Sequence, residues 1–235
     1  MGGSLEYIWD GLTTAVDLLA RMDPETVSAV MATVRASSMS MGLSLLIGLP
    51  LGFALAQARF PGRRAARTTV DTLLSLPTVV IGLLAYAFIS RRGPLGGLEL
   101  LFTLEGVALA QAVLALPIVI SLTAAAVEGQ DRRLKQTLLT LGASARQTAR
   151  STLWEARFAV LAAALAAYGR VVSEVGISMM VGGNIKWHTR TITTAIALET
   201  GKGEFAMGIA LGVVLMIWAG ILNLILAWLK QRSEP

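Results

Sequence analysis

Hydrophobic and polar positions separate into long blocks along this chain. Apolar runs occupy Met41 to Ala56, Val79 to Ser90, Val107 to Ala126, Phe158 to Tyr168 and Phe205 to Leu229. Most extend to the roughly 20 residues that a bilayer-spanning helix needs. The pattern predicts an all-α polytopic membrane protein with about five transmembrane helices, the first over about Ser37 to Gln57. Upstream, Leu5, Ile8, Trp9, Leu12, Ala15, Val16 and Leu19 fall at helical spacing, with Glu6, Asp10 and Asp17 off the stripe. Residues 1–22 are therefore expected to form an amphipathic helix lying in the membrane interface. Asp23, Pro24 and Glu25 follow as N-cap, first-position proline and first-turn acid, so a new helix starts there. Residues 23–235 are expected to be one transmembrane domain without a soluble appendage.

The polar segments between the runs set an orientation. Arg59, Arg63, Arg64 and Arg67 follow the first span, and Arg132, Arg133, Lys135, Arg146, Arg150 and Arg157 lie between the third and fourth. Lys230 and Arg232 close the chain. With five spans all three basic groups fall on one side, which the positive-inside rule makes cytoplasmic. The opposite side holds the N-terminal helix, the turn-rich Arg91 to Thr103 loop and the Gly183 to Gly203 loop. The N-terminus is thus expected outside and the C-terminus in the cytoplasm. No basic n-region follows Met1, which argues against a cleaved signal peptide.

Composition agrees with a membrane class: 54% of the 235 residues are hydrophobic and 15% charged. The net charge of +5 sits in loops between apolar runs and describes topology, so no nucleic-acid partner is expected. There is no cysteine and a single histidine, His188, so a Cys-based metal or redox site is excluded and no metal site is expected. No G-x-x-x-x-G-K-[ST] occurs, and neither does H-E-x-x-H or G-x-S-x-G. ATP hydrolysis or intramembrane catalysis by this chain is not expected.

The stretch Asp131 to Glu155 is too polar to span, yet Leu138, Leu139, Leu141, Leu153 and Trp154 give it apolar faces around Gly142-Ala143. It reads as two short helices joined by a tight turn. Gln136-Thr137-Leu138, three residues, then Gly142-Ala143-Ser144 resembles the EAA loop of ABC importer permeases, which docks on the cytoplasmic ATPase. Gln136, Thr137 and Leu138 stand where that family has Glu-Ala-Ala, and Thr152, Trp154 and Glu155 depart from its downstream Ile, Leu and Pro. The resemblance makes Gln136, Thr137, Leu138, Leu141, Gly142, Ala143 and Ser144 the ATPase-coupling residues, on a coupling loop spanning about 128–157.

Two further segments, Leu76 to Leu83 and Leu116-Pro117, are similar to molybdate- and sulfate-type permeases. Gly169 to Ile185, with its continuation Lys186 to Ile196, closely resembles tungstate-type ABC permeases. That family implies a homodimer in a bacterial or archaeal cytoplasmic (inner) membrane. It also implies ABC ATPase subunits that carry the ATP and Mg, an extracytoplasmic substrate-binding protein, and no cofactor on this chain. The cargo it implies is an inorganic oxyanion, tungstate first and molybdate or sulfate as alternatives.

Arg170 and Glu174 lie four apart, hence on one helix face, and a charge within a span must be paired or turned from lipid. They are either path or gate residues, or an ion pair that stabilises the subunit or its dimer. Met179, Met180, Gly182, Gly183 and Asn184 can form a movable gate, or simply a helix end. Pro77, Thr78 and Ser178, within the matching segments, complete the candidate path. Lys186, His188 and Arg190 give the outer loop a positive tendency, and Thr191, Thr193 and Thr194 offer hydroxyls; ordinary loop polarity explains both equally well. An ion-coupled secondary transporter, with Glu174 as a relay, remains the alternative mechanism.

Overall fold

A computed structural model describes residues 3–58 and 60–231; Arg59 and Arg232 of the basic clusters lie outside it. Among the described residues there are eleven α-helices, one 3₁₀ turn at Gly96–Leu98 and no strand. They are α1 (Gly3–Ala20), α2 (Pro24–Gln57), α3 (Arg63–Leu74), α4 (Thr78–Ile89), α5 (Leu104–Glu128) and α6 (Arg132–Thr140). The rest are α7 (Ala145–Glu155), α8 (Arg157–Val172), α9 (Gly176–Gly182), α10 (Ile192–Gly201) and α11 (Phe205–Gln231).

Among the described residues, only α2, α5 and α11 are long and apolar enough to cross a membrane alone. Two bent pairs bring the number to five if each counts as one span: α3 with α4, bent by 97°, and α8 with α9, bent by 60°. The runs Val79 to Ser90 and Phe158 to Tyr168 are therefore parts of broken elements. In the first, Pro77 supplies no N–H and pushes Leu76 out of helical geometry. The Arg63 to Arg67 segment, expected as a loop, is the first turn of α3. Helix α2 starts at Pro24, well before Ser37, because Asp23 caps it through Thr26 N and Thr26 Oγ1, both at 2.8 Å. At ~1.5 Å per residue its 34 residues exceed the bilayer core.

The α2–α5 contact is the spine of the molecule. Ala32, Ala36, Ser40, Ser44, Gly48 and Gly52 recur every four residues on α2 and are all buried. Small residues at that spacing let helix backbones approach closely. A Cβ on Gly48 would stand 2.7 Å from Val119 Cγ1, and one on Gly52 2.7 Å from Ile120 O. Helix α5 is the most enclosed span: 67% of its apolar window is buried, against 33% for α2 and 22% for α11. Around this pair Ile81 and Ile177 bring in α4 and α9, Ala167 brings in α8, and Ala66 and Val70 bring in α3.

Helix α1 packs along α11, a contact its apolar stripe did not foretell. Gly11 and Ala15 face inward, with Ile209 filling the space a Gly11 side chain would need. Ile8, Trp9, Leu12, Val16 and Leu19 stay exposed. Helix α10 replaces part of the expected Gly183 to Gly203 loop, capped by Thr191 and Thr194 in a reciprocal box. A threonine in the third position, where glutamate or glutamine usually marks such a box, hid it.

Gly52→Ala is expected to destabilise the permease by about 1–3 kcal/mol through overpacking, read as a lower unfolding midpoint in detergent. Gly42→Ala, with nothing within 4 Å of the new methyl, is expected to leave the midpoint unchanged or raised.

Candidate functional site

The break between α8 and α9 is built around one carboxylate. Helix α8 ends at Val172, and Glu174 follows with its side chain only 3% exposed. Its Oε1 accepts the Ile177 N–H at 3.3 Å, one of the donors that a helix start leaves unpaired. Its Oε2 accepts from Arg170 Nη1 at 3.1 Å. The Glu174 backbone carbonyl accepts the Thr193 hydroxyl at 2.9 Å, which ties the start of α10 to the same corner. Arg170 is 45% exposed. The pair therefore presents its cation outward and hides its anion behind it.

Helix α4 meets this corner. A Cβ on Gly176 would lie 3.4 Å from Glu174 Oε1, 3.4 Å from Val79 Cγ2 and 3.7 Å from Thr78 Oγ1. Gly82 packs in the same way against Met180 Sδ and the Ile177 backbone. The structure thus brings Thr78, Arg170, Glu174 and Met180 onto one junction, with Pro77 exposed as the N-cap of α4. Ser178 is fully buried and accepts from Gln111 Nε2 at 3.1 Å. Gln111 was missed from sequence, although a lone amide inside the Val107 to Ala126 run is the signal that finds it. Its Oε1 is buried without a hydrogen-bond partner.

Gly182, Gly183 and Asn184 lie at the other end of α9 in a packed helix stop. Gly183 takes a left-handed φ of 68°, and a Cβ there would be 2.7 Å from the Phe102 ring. Gly182 abuts Val107, and the Thr189 hydroxyl donates to the Gly182 carbonyl. The threonines between Gly183 and α10 and in its first turn are committed to the protein interior. Thr189, Thr191, Thr193 and Thr194 are all buried, serving the α9 end, the α10 cap and the Glu174 carbonyl. Lys186 and Arg190 both pair with Glu25 at the start of α2, at 2.6 and 2.5 Å, so these two cations are bound to the fold. His188 is exposed and lines a cavity of about 440 Å³ together with Arg35 and Trp187. Among the described residues no cluster of His, Cys, Asp or Glu is fit to hold a metal.

The Asp131 to Glu155 segment forms two helices, α6 and α7, with a turn at Leu141–Ser144. Gly142 adopts φ 75°, favoured by glycine. Ser144 caps α7 in a reciprocal box with Gln147. Gln136, Thr137, Gly142 and Ser144 are exposed and Leu138 and Ala143 half-buried. Leu141, at the tip, is 78% exposed, and Leu139, Leu153 and Trp154 are also open. An exposed apolar tip flanked by Arg133, Arg146 and Arg150 has the make-up of a protein-docking surface. At its root Arg157 lies between the Trp154 and Phe158 rings, 4.6 and 4.5 Å from their centroids.

A family model described as the binding-protein-dependent transport system inner membrane component matches residues 48–235. This chain belongs to that family. The permease is 48% identical over 227 residues to the tungstate uptake system permease protein TupB of Campylobacter jejuni, covering 97% of this chain and 95% of that one. It is 34% identical to the TupB of Peptoclostridium acidaminophilum, over 97% of this chain and 100% of the other. The Escherichia coli molybdenum transport system permease protein ModB is 30% identical, over 90% and 96%. In fold, the permease superposes with TM-score 0.73 on a chain of the MetNI methionine ABC transporter, at 21% identity and covering 92% and 99%. It has the ABC importer permease fold, and its family is one of transport pores that work with a separate ATPase and a substrate-binding protein.

Glu174→Gln is expected to destabilise the permease by about 1–3 kcal/mol, because an amide accepts through one atom where the carboxylate accepts through two. Arg170→Gln is expected to cost at least as much in the same detergent unfolding assay, because it leaves the buried Glu174 carboxylate without its counter-charge. A clearly smaller loss than for Glu174→Gln would contradict the geometry of this corner.

Proposed function

We propose that this permease imports an inorganic oxyanion, tungstate in the first place, as a homodimer driven by ATPase subunits that dock on the α6–α7 hairpin. The observation that carries this reading is the 48% identity to a tungstate uptake permease across 97% of the chain. Molybdate is the second reading, because the ModB relative is 30% identical over 90% of the chain. The two anions are nearly alike in charge and shape, and the binding protein does much of the selecting.

The charge arrangement supports transport of an anion. A half-exposed guanidinium at Arg170 cannot face lipid cheaply, so it turns to water or to the second copy. With the Glu174 carboxylate buried behind it, that surface is locally positive. The candidate path runs past Pro77, Thr78, Arg170 and Met180, with Ser178, Gly182, Gly183 and Asn184 as the packed scaffold of α9.

The two ends of the molecule support the topology. Arg63, Arg67 and the hairpin gather at one end, with the C-termini of α2 and α5. Glu25, Lys186 and Arg190 gather at the other. By the positive-inside rule we read the basic end as cytoplasmic; with each bent pair counted as one span, this reading has five spans, an outer N-terminus and a cytoplasmic C-terminus. ATP-driven closure of the ATPases draws the hairpins together and turns the path outward, and hydrolysis resets it. Against an ion-coupled carrier stands the membership of a binding-protein-dependent transport family.

The test is uptake into vesicles that carry the permease, its ATPase and its binding protein. Tungstate uptake is expected to require ATP and to withstand excess sulfate. Strong competition by molybdate would move the cargo to the second reading. No ATP-dependent uptake of tungstate, molybdate or sulfate would overturn the assignment.

A further inference from the structure

Three arginines sit where local electrostatics disfavours them. Helix α3 begins at Arg63, behind a Gly62 N-cap that offers no side-chain hydrogen bond, and has no acid in its first turn, yet Arg63, Arg64 and Arg67 crowd its positive end. Arg63 spends its charge elsewhere. Its Nε donates to Leu55 O at 2.7 Å and its Nη2 to Ala56 O at 3.1 Å. These are among the final carbonyls of α2, which lack helical partners and carry the negative end of its dipole. The same Nη2 donates to Glu128 Oε1 at 2.8 Å. Arg67 Nη1 reaches both oxygens of Glu128, each at 3.1 Å, and Arg67 Nε lies 3.8 Å from Asp71.

Glu128 is the last residue of α5, and α6 begins at Arg132. The hairpin thus has two roots. One continues directly into α8, where Ala156 and Val160 pack on Val127. The other is the end of α5, and Glu128 joins it ionically to the end of α2 and the start of α3. Helix α3 leads through the 97° bend into α4, which meets α9 and the Glu174 corner.

We propose that Glu128, with Arg63 and Arg67, is a positioning clasp that carries displacement of the α6–α7 hairpin to α2 and to the bent α3–α4 pair. The proposal rests on the reading that the ATPase docks on this hairpin. Glu128 touches neither cargo nor ATPase; it makes α2, α3 and α5 move together when the hairpin is pulled. Because all three side chains are about a third to two-fifths exposed, the fold survives without the clasp while the transmission does not. Apolar packing of Leu55, Ile120 and Ala124 with Ala66 and Val70 holds α3 in place beneath it.

The test uses the complete importer in proteoliposomes, with tungstate as the transported probe and ATP hydrolysis measured in the same vesicles. Glu128→Gln is expected to retain the bound ATPase and its hydrolysis, and to move roughly fivefold or more less tungstate per ATP. Exchanging the charges, Arg67→Glu with Glu128→Arg, is expected to recover part of that ratio. An unchanged ratio in Glu128→Gln would overturn the clasp. Loss of the ATPase from that variant would also overturn it, because the carboxylate would then belong to the docking surface. Leu141→Asp, in parallel, is expected to release the ATPase. Retention there would overturn the docking reading by itself, separately from the Glu128 ratio.

Discussion

Close approach of α2 and α5 is the constraint on which the other elements depend. Two backbones touch because Gly48 and Gly52 leave no side chain between them and Val119, Ile120 and Thr123. In a bilayer there is no hydrophobic drive between helices, so packing of small surfaces carries the association. With that pair fixed, α4, α8 and α9 find their places against it through Ile81, Ala167 and Ile177. The shorter, bent elements need such a frame, since neither α4 nor α9 is long enough to cross a membrane unaided.

Polar groups mark where the frame bends or ends. Glu25 holds Lys186 and Arg190 at one end of α2, and Arg63 holds its last free carbonyls at the other. Glu174 fills the break between α8 and α9, and its carbonyl takes Thr193. Exposed ion pairs are worth only about 0.2–1 kcal/mol each. Their value here is geometric, since each joins elements that are distant in sequence, whereas the apolar contacts supply most of the stability.

Much of this was legible in the residues, and for physical reasons. Long apolar runs reveal α2, α5 and α11, and Asp23-Pro24-Glu25 reveals the start of α2. The hairpin showed itself through leucines around Gly142. What escaped depends on contacts remote in sequence. The bends at Pro77 and Glu174 fall just outside the apolar runs Val79 to Ser90 and Phe158 to Tyr168, which hydropathy alone reads as whole spans. Helix α10 starts at a threonine box without an acid, and the outer threonines looked available until their partners in α9 and at Glu174 were known. Gln111, alone in an apolar helix, and Glu128, distant from Arg63 and Arg67, acquire meaning only once the helices are assembled.

If two copies of this chain act through hairpins drawn together by ATP, as proposed, the separation of the two hairpins depends on nucleotide. The chain has no cysteine, so Glu155→Cys provides a single attachment point at the exposed end of α7, rather than at the Leu141 docking tip. With a spin label there, dipolar distance measurements on the assembled importer would read the separation of the two hairpins. The account predicts a defined distance that shortens when a non-hydrolysable ATP analogue binds. No dipolar coupling, or a distance indifferent to nucleotide, would contradict it.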